Sequence, residues 1–167
     1  MKSGEYANAS VIDLSKVEDR KGNGNITFQK IETLVNGVQG NKLSIGDDLT
    51  LRITIKGHKQ QRFKMALHLY KYDETRLSNI ENGDSQFHFD PFTGEQTLEV
   101  EFKKLMLYPG QYKIGLWMGD IVSEEQIDFL RMCAQFEVLS SSSIVYRGIP
   151  RNSGVFYFQP NWKRLNE

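Results

Sequence analysis

Strict alternation of apolar and polar side chains is the feature that most constrains this sequence. Every second side chain is apolar in five segments, at residues 49–55, 65–70, 98–102, 112–118 and 133–138. A period of two is typical of β-strands with one face buried. Turn-forming pairs such as Asn36-Gly37 and Pro109-Gly110 separate the segments. Two further strands are predicted at residues 26–34 and 154–162.

About seven short strands with little helix predict an all-β fold, an immunoglobulin-like sandwich of two antiparallel sheets. The sequence Leu107-Tyr108-Pro109-Gly110-Gln111-Tyr112 supports this prediction. It is typical of a tyrosine corner, in which the tyrosine hydroxyl bonds back to upstream backbone. Tyr112 is therefore interpreted as structural.

The chain is predicted to divide at residue 24. Residues 1–24 are polar, with a weak helical spacing at Ala7, Val11 and Leu14, and are interpreted as a leader or linker. Residues 25–167 are predicted to form the sandwich. Residues 123–130 indicate a helical turn.

Charge and composition exclude several classes of protein. The 21 basic and 21 acidic residues give a net charge of zero, whereas a nucleic-acid binder usually carries a basic excess. No apolar run approaches the roughly 20 residues that span a bilayer. Met1–Tyr6 lack the apolar core of a secretory signal, and the single Cys133 fits a reducing compartment. We expect a cytoplasmic location.

The motifs of nucleotide and metal chemistry are absent from the sequence. It has no phosphate-binding loop, and Gly22-Asn23-Gly24 lacks the third glycine of a dinucleotide fingerprint. The three histidines do not have the spacing of metal ligands. We therefore expect no metal and no cofactor.

Glu99 and Glu101 lie on the same face of one predicted strand and could imitate a glycosidase pair. A solvated row of carboxylates beside Arg52 is the commoner arrangement. The sequence therefore favours a protein that is not an enzyme, with a glycan-cleaving enzyme as one rival.

One predicted sheet face combines aromatic and polar side chains. If Tyr112 marks the sixth sandwich strand, residues 63–72, 111–118 and 129–139 share a sheet. The outward residues of these strands are predicted to bind carbohydrate: Trp117, His68, Tyr70, Tyr72, Lys113, Arg131 and Gln135. The opposite sheet, with strands 49–55 and 96–102, is predicted to present a plainly solvated face.

Sugar binding requires both aromatic and polar side chains. The C–H patches of a sugar pack on aromatic rings, while its hydroxyls need planar hydrogen-bond donors and acceptors. An outward tryptophan on a central strand also exposes apolar surface that usually marks a contact. Two alternatives remain open. A loop, the leader or a partner chain can cover the rings, or the same face can dock another protein.

Four motifs occur in an order that resembles a known family. They are Ile26-x-Phe28-x-x-Ile31, Leu43-Ser44-Ile45-Gly46-Asp47-Asp48-Leu49-x-Leu51-x-Ile53, Leu105-x-Leu107-x-Pro109-Gly110-x-Tyr112, and Gly154-Val155-Phe156 followed by Trp162. Together they make residues 20–165 similar to the C-terminal domain of Wzt-type subunits. These are the ATP-binding subunits of transporters that export O-antigen and related polysaccharides.

The resemblance implies an immunoglobulin-like domain that recognises a lipid-linked polysaccharide, often at its modified non-reducing end, before export. It implies a position at the cytoplasmic face of the bacterial inner membrane. It also implies two partners, an upstream nucleotide-binding domain and a membrane permease. One departure affects the site: the family often has an Asp-Gly turn between the third and fourth strands, where this chain has Tyr72-Asp73-Glu74-Thr75-Arg76.

The C-terminal segment predicts a homodimer. Ser140–Ser143 form a polar hinge, and an apolar segment with Val155, Phe156, Phe158 and Trp162 follows it. A hinge before a terminal strand permits strand exchange between two copies. The resemblance implies a dimer as well. The alternative is that this strand folds back on its own sandwich.

Overall fold

A computed structural model describes residues 9–165, which form two five-stranded sheets packed face to face. The strands are β1 (Val11–Asp13), β2 (Ile26–Val35), β3 (Val38–Gln39), β4 (Lys42–Ser44), β5 (Leu49–Gly57), β6 (Lys64–Lys71), β7 (Arg76–Glu81), β8 (Gly94–Phe102), β9 (Gly110–Gly119) and β10 (Gln126–Leu139). Sheet A has the order β1-β2-β5-β8, with β3 also paired to β2. Sheet B has the order β4-β10-β9-β6-β7.

Alternation along the strands produces a single core between the two sheets. Phe28 and Ile53 from sheet A meet Leu116 and Phe136 from sheet B, and each is at most 2% exposed. Burying one such side chain contributes about 1.5–3 kcal/mol. Every strand pair is antiparallel except β4 with β10. The prediction of an all-β, immunoglobulin-like sandwich is confirmed.

The predicted sheet membership is also confirmed. Strands β6, β9 and β10 share sheet B, with β9 between the other two, while β5 and β8 lie in sheet A. On the outer face of sheet A, Thr54 lies opposite Thr97 and Arg52 opposite Glu99. This face is polar, but Thr50 and Thr54 are buried, so it is not solvated throughout as predicted.

The N-terminal segment differs from the predicted leader. Residues 11–13 form β1, which pairs with β2, and Ile12, Leu14 and Val17 lie in the core. Three apolar residues over so short a stretch cannot display a clear period, so their burial depends on tertiary contacts. Residues 9–24 are thus part of the sandwich, while Ala7 and the rest of residues 1–8 lie outside the described residues.

Two other local predictions are wrong. Residues 154–162 do not form a strand, because they make only one bridge, between Leu107 and Phe156. Pro160 has no amide hydrogen to donate to a ladder. In place of the helical turn at residues 123–130, β10 begins at Gln126.

The C-terminal segment folds back onto its own chain. The Tyr108 amide donates to the Val155 carbonyl at 2.8 Å, and the Tyr157 amide to the Met106 carbonyl at 3.0 Å. Tyr157 is buried, but Trp162 is 92% exposed. The segment thus covers one end of the sandwich and still presents aromatic side chains to solvent.

The predicted tyrosine corner is present. The Tyr112 hydroxyl donates a 2.6 Å hydrogen bond to the Tyr108 carbonyl, and its ring stacks on Phe136 with centroids 5.3 Å apart. Burial raises the pKa of Tyr112 to about 12, compared with a usual value of 10.0.

Tyr112→Phe is expected to lower the free energy of unfolding by about 1 kcal/mol, because the ring remains and only the hydrogen bond is lost. Since the folded pKa is raised, the stabilisation by the phenol is complete below pH 10.0 and is lost as the pH rises through about 12. Urea unfolding at several pH values tests both statements. An unchanged midpoint at neutral pH would contradict the first statement, and a difference between the two proteins that persists unchanged above about pH 12 would contradict the second.

Candidate functional site

The outer face of sheet B brings the predicted residues together, and we call it the aromatic face. Trp117 on β9 lies opposite Ala66 on β6 and Phe129 on β10. Two residues further along β9, Gly115 lies opposite His68. The next outward row contains the residues Tyr70, Lys113 and Gln135. The outward direction predicted for these side chains is therefore confirmed by the strand register.

Trp117 lies across the backbone of the same strand. Its six-membered ring occupies the space where a side chain at Gly119 would begin, so only glycine fits there. The Lys64 ammonium lies 5.8 Å from the indole centroid. The indole remains half-buried. An indole held against a sheet in this way is a rigid apolar platform at the protein surface.

A bulge in β10 sets the shape of the centre of the aromatic face. The pairing with β9 shifts between Leu130 and Ala134, and the Arg131 carbonyl lies directly over Gly115. Any side chain at Gly115 would collide with this carbonyl. At position 115 the space between Trp117 and Lys113 is therefore filled by the backbone of β10.

His68 and Tyr70 lie on the predicted face, but they are buried, with 7% and 3% exposure. The rings of His68 and Phe129 meet edge to face at 5.9 Å, and the Arg76 guanidinium lies 5.8 Å from the Tyr70 centroid. Burial, followed by the charge of Arg76, lowers the pKa of His68 below its usual value, so its imidazole is neutral at pH 7. These two residues therefore lie beneath the surface of the face, and their predicted contact with carbohydrate stays a prediction.

Gln135 and Tyr72 mark the end of the aromatic face furthest from Trp117. Gln135 is 8% exposed and lines a polar cleft of about 320 Å³ with Gln111, Glu137 and Lys42. Tyr72 is 47% exposed, with the Lys71 ammonium 5.4 Å from its ring centroid. Tyr72 is thus accessible to a ligand, and Gln135 only from the cleft.

A carboxylate from the turn between β6 and β7 reaches two cations of the face, Lys113 and Arg131. Glu74 Oε1 lies 3.6 Å from Lys113 Nζ, and Glu74 Oε2 lies 3.9 Å from Arg131 Nη2. Glu74 has a φ of 68°, the left-handed conformation that glycine adopts most easily. This is the turn at which the sequence departs from the Asp-Gly pattern.

The predicted site residues did not include four residues of the face: Phe129, Gly115, Glu74 and Arg76. Glu74 and Arg76 were named only as part of the turn that departs from the Asp-Gly pattern. Phe129 alternates with Arg131, and this spacing was a usable signal for one more outward ring. Gly115 follows Lys113 by two residues and precedes Trp117 by two, so its place on the face was also readable. The position of Glu74 depends on the conformation of the turn, which the alternation of apolar and polar residues along the strands does not predict.

The rival glutamates are engaged in ion pairs on the outer face of sheet A. Glu99 accepts from Arg52 at 2.6 Å, and Glu101 lies 3.5 Å from Lys103. Within residues 9–165, no three or more His, Cys, Asp or Glu side chains group in a way that could hold a metal ion. Over the same residues, no helix is long and apolar enough to cross a membrane.

Comparison with solved structures finds a similar fold. The crystal structure of the C-terminal domain of Wzt matches with a TM-score of 0.74 over 99% of this chain and 97% of that chain, at 10% identity. Bacteroides uniformis β-glucuronidase matches at a TM-score of 0.45 and 12% identity, over 68% of this chain and 14% of that chain. The second likeness is too low to support an argument. No curated protein matches the sequence significantly.

Comparison with protein families finds a match over most of the sequence. Residues 17–152 match the family described as the Wzt C-terminal domain. The match includes all the strands from β2 to β10 and the whole aromatic face. It also begins within the segment that was predicted to be a leader. This chain belongs to the Wzt C-terminal domain family.

Proposed function

We propose that this chain binds, without catalysis, a lipid-linked polysaccharide resembling O-antigen through the aromatic face. Membership of the Wzt C-terminal domain family supports a carbohydrate-binding role in an ABC exporter. The observation that carries the choice of surface is the half-buried Trp117 indole over Gly119, with Lys113 and Arg131 on the same face. In this proposal the chain acts at the cytoplasmic face of the inner membrane, with a nucleotide-binding domain and a permease.

The proposed contacts follow from exposure. Trp117 packs against the C–H face of one sugar ring, and Tyr72 is available for another. Lys113 and Arg131, whose side chains are 29% and 61% exposed, donate hydrogen bonds to hydroxyl or acidic groups. His68, Tyr70 and Gln135 are buried in the same face, where His68 packs against Phe129 and Tyr70 lies beneath Arg76. A few such contacts give a weak affinity, with a Kd of about micromolar to millimolar. The entropy lost when the sugar and the side chains become ordered offsets most of the free energy that the contacts contribute.

Titration calorimetry with lipid-free polysaccharide from the bacterium that encodes this chain tests the proposal. We expect saturable binding, and the polysaccharide should keep its length after long incubation with the protein. Shortened products would favour the rival enzyme acting through Glu99 and Glu101. Binding of no sugar, together with capture of a protein partner, would favour the rival docking module.

We also propose that the chain is a homodimer, with the C-terminal segment as the element that is exchanged. Three aromatic side chains of this segment are largely exposed in the single chain: Tyr146, Phe158 and Trp162. Such exposure is unusual for a monomer and would be relieved by contact with a second copy. Two copies would also place two glycan sites near each other, which raises the effective affinity for a repeating polymer.

Light scattering on the intact chain and on a chain that ends at Ser143 tests the dimer. The intact chain is expected to be a dimer at tens of micromolar, and its dimer fraction should fall on dilution. The shortened chain loses the exposed aromatic segment together with buried Ile149 and Tyr157. It is expected to be a monomer or to aggregate. A monomeric intact chain would sink the proposal.

A further inference from the structure

We propose that the aromatic face selects glycans that carry a negatively charged substituent, a carboxylate or a phosphate, and that this substituent replaces the Glu74 carboxylate between Lys113 and Arg131. The inference rests on the proposed function, because it names the class of glycan that the same face binds. It is carried by the charge and the geometry of the turn between β6 and β7.

Positive charge is concentrated around the centre of the face. Lys113 and Arg131 lie on neighbouring strands, and both face the single carboxylate of Glu74. Arg76 adds a third cation over the ring of Tyr70. A neutral sugar needs no such excess, whereas an acidic sugar gains both charge attraction and directed hydrogen bonds from it.

Glu74 leaves the donors of these cations available. Its oxygens lie 3.6 Å from Lys113 Nζ and 3.9 Å from Arg131 Nη2. Both distances exceed the roughly 2.7–3.2 Å of an N–H···O hydrogen bond. A ligand oxygen that approaches more closely can therefore form hydrogen bonds that the resting pair does not make.

The carboxylate of Glu74 is also easy to displace. Its side chain is 47% exposed and stands on a turn that is held by backbone bonds, from the Glu74 amide to the Lys71 carbonyl and from the Lys71 amide to the Thr75 carbonyl, each 2.9 Å long. The side chain can move while those bonds remain in place. Exposed ion pairs of this kind stabilise a protein little, so little is lost when the carboxylate moves away.

The cations lie at a useful distance from the stacking platform. Lys113 and Trp117 are four residues apart on one face of β9, which corresponds to about 13 Å along the strand. Over the intervening Gly115 the surface is formed by the Arg131 carbonyl of β10. A short oligosaccharide that crosses this carbonyl can stack one ring on Trp117 while an acidic group of a neighbouring ring reaches Lys113 and Arg131.

Chemical treatment of the ligand tests the inference separately from the proposed function. The probe is lipid-free polysaccharide from the bacterium that encodes this chain, used in its native form, after reduction of its carboxyl groups, and after removal of phosphate with cold hydrofluoric acid. We expect native polysaccharide to bind and one of the two treatments to weaken binding at least about tenfold, which identifies the acidic group. If all three forms bind equally, the inference fails and the proposed function stands. If the native form does not bind, both fail.

Charge-removing variants provide the second test. Glu74→Gln is expected to tighten binding of the native polysaccharide by about threefold, because the competing carboxylate is gone, whereas Arg131→Gln should weaken it about tenfold. The matched controls are Glu99→Gln and Arg52→Gln, which remove the same charges from an ion pair on the outer face of sheet A. These controls should leave affinity unchanged. Weaker binding by Glu74→Gln would overturn the inference, because it would make Glu74 itself a ligand contact.

Discussion

Replacing Asp128 with alanine is expected to lower the free energy of unfolding by about 3–5 kcal/mol, the usual cost of leaving one partner of a buried ion pair without the other. The Asp128 side chain is 3% exposed and that of Arg20 is 19% exposed. Asp128 accepts from Arg20 Nε at 3.0 Å and Nη2 at 2.6 Å, and from the Phe28 amide at 2.8 Å. Alanine would leave all three donors without this acceptor.

The effect is large because Arg20 joins three parts of the fold. Its guanidinium also donates to the Leu14 carbonyl at 2.8 Å and to the Phe28 carbonyl at 3.0 Å. It thus connects the N-terminal segment and β2 in sheet A to β10 in sheet B. Loss of Asp128 is expected to release Leu14 and Val17 from the core, and to increase amide hydrogen exchange around them.

Glu99→Ala is the matched control for Asp128→Ala. The pair of Arg52 and Glu99 has the same 2.6 Å separation, but the side chains are 43% and 55% exposed. An exposed pair contributes about 0–1 kcal/mol, so this variant should unfold close to the wild-type midpoint. Guanidinium titrations of both variants give the comparison. Equal losses would contradict the explanation, because it attributes the larger loss to the burial of Asp128 and to its additional bond from the Phe28 amide.

The fold was predictable wherever burial on one face imposed a strict period of two. The alternation of β5 against β8 placed Arg52 beside Glu99 correctly, because a shift of one residue would expose the whole apolar set. The arrangement of β6, β9 and β10 followed from Tyr112. The strand register and the membership of sheet B were therefore predictable from the alternation within each strand together with the tyrosine corner.

The bulge in β10 limited what alternation could predict. Three residues of β10 lie between Leu130 and Ala134, whereas Gly115 alone separates their partners Leu116 and Ile114. Strict alternation places Cys133 outward, but it is fully buried, and burial raises the pKa of its thiol. A bulge depends on the close approach of two strands, which a single sequence does not reveal.

Contacts between distant residues set the other limit. Arg20 and Asp128 are 108 residues apart, so no local pattern indicated that the N-terminal segment belongs to the sandwich. At the site, the outward direction of His68 and Tyr70 was predicted correctly, but their burial was not. Exposure depends on what neighbouring strands and turns place above a residue, here Phe129 and Arg76.

Trp117→Ala is expected to weaken glycan binding by about thirtyfold or more, since an aromatic anchor at the centre of a binding surface usually contributes about 2 kcal/mol or more. The indole is half-buried and covers Gly119 from outside the core. Its loss should therefore change the melting temperature by only a few degrees, as for most surface substitutions. Trp117→Phe should recover part of the affinity, because a smaller ring still offers a stacking surface.

The sequence provides a matched control, because it has only one other tryptophan, Trp162. Trp162 is 92% exposed and lies outside the aromatic face, so Trp162→Ala should bind the polysaccharide with unchanged affinity. The same variant makes Trp117 the single indole emitter, so a ligand that stacks on it should change the fluorescence in proportion to calorimetric saturation. Unchanged fluorescence at saturation, or normal binding by Trp117→Ala with a large loss of stability, would mean that Trp117 packs the fold and that the ligand binds elsewhere. The polar cleft beside Gln135 would then be the surface to test, because it lies on the same sheet and is lined by Gln111 and Glu137.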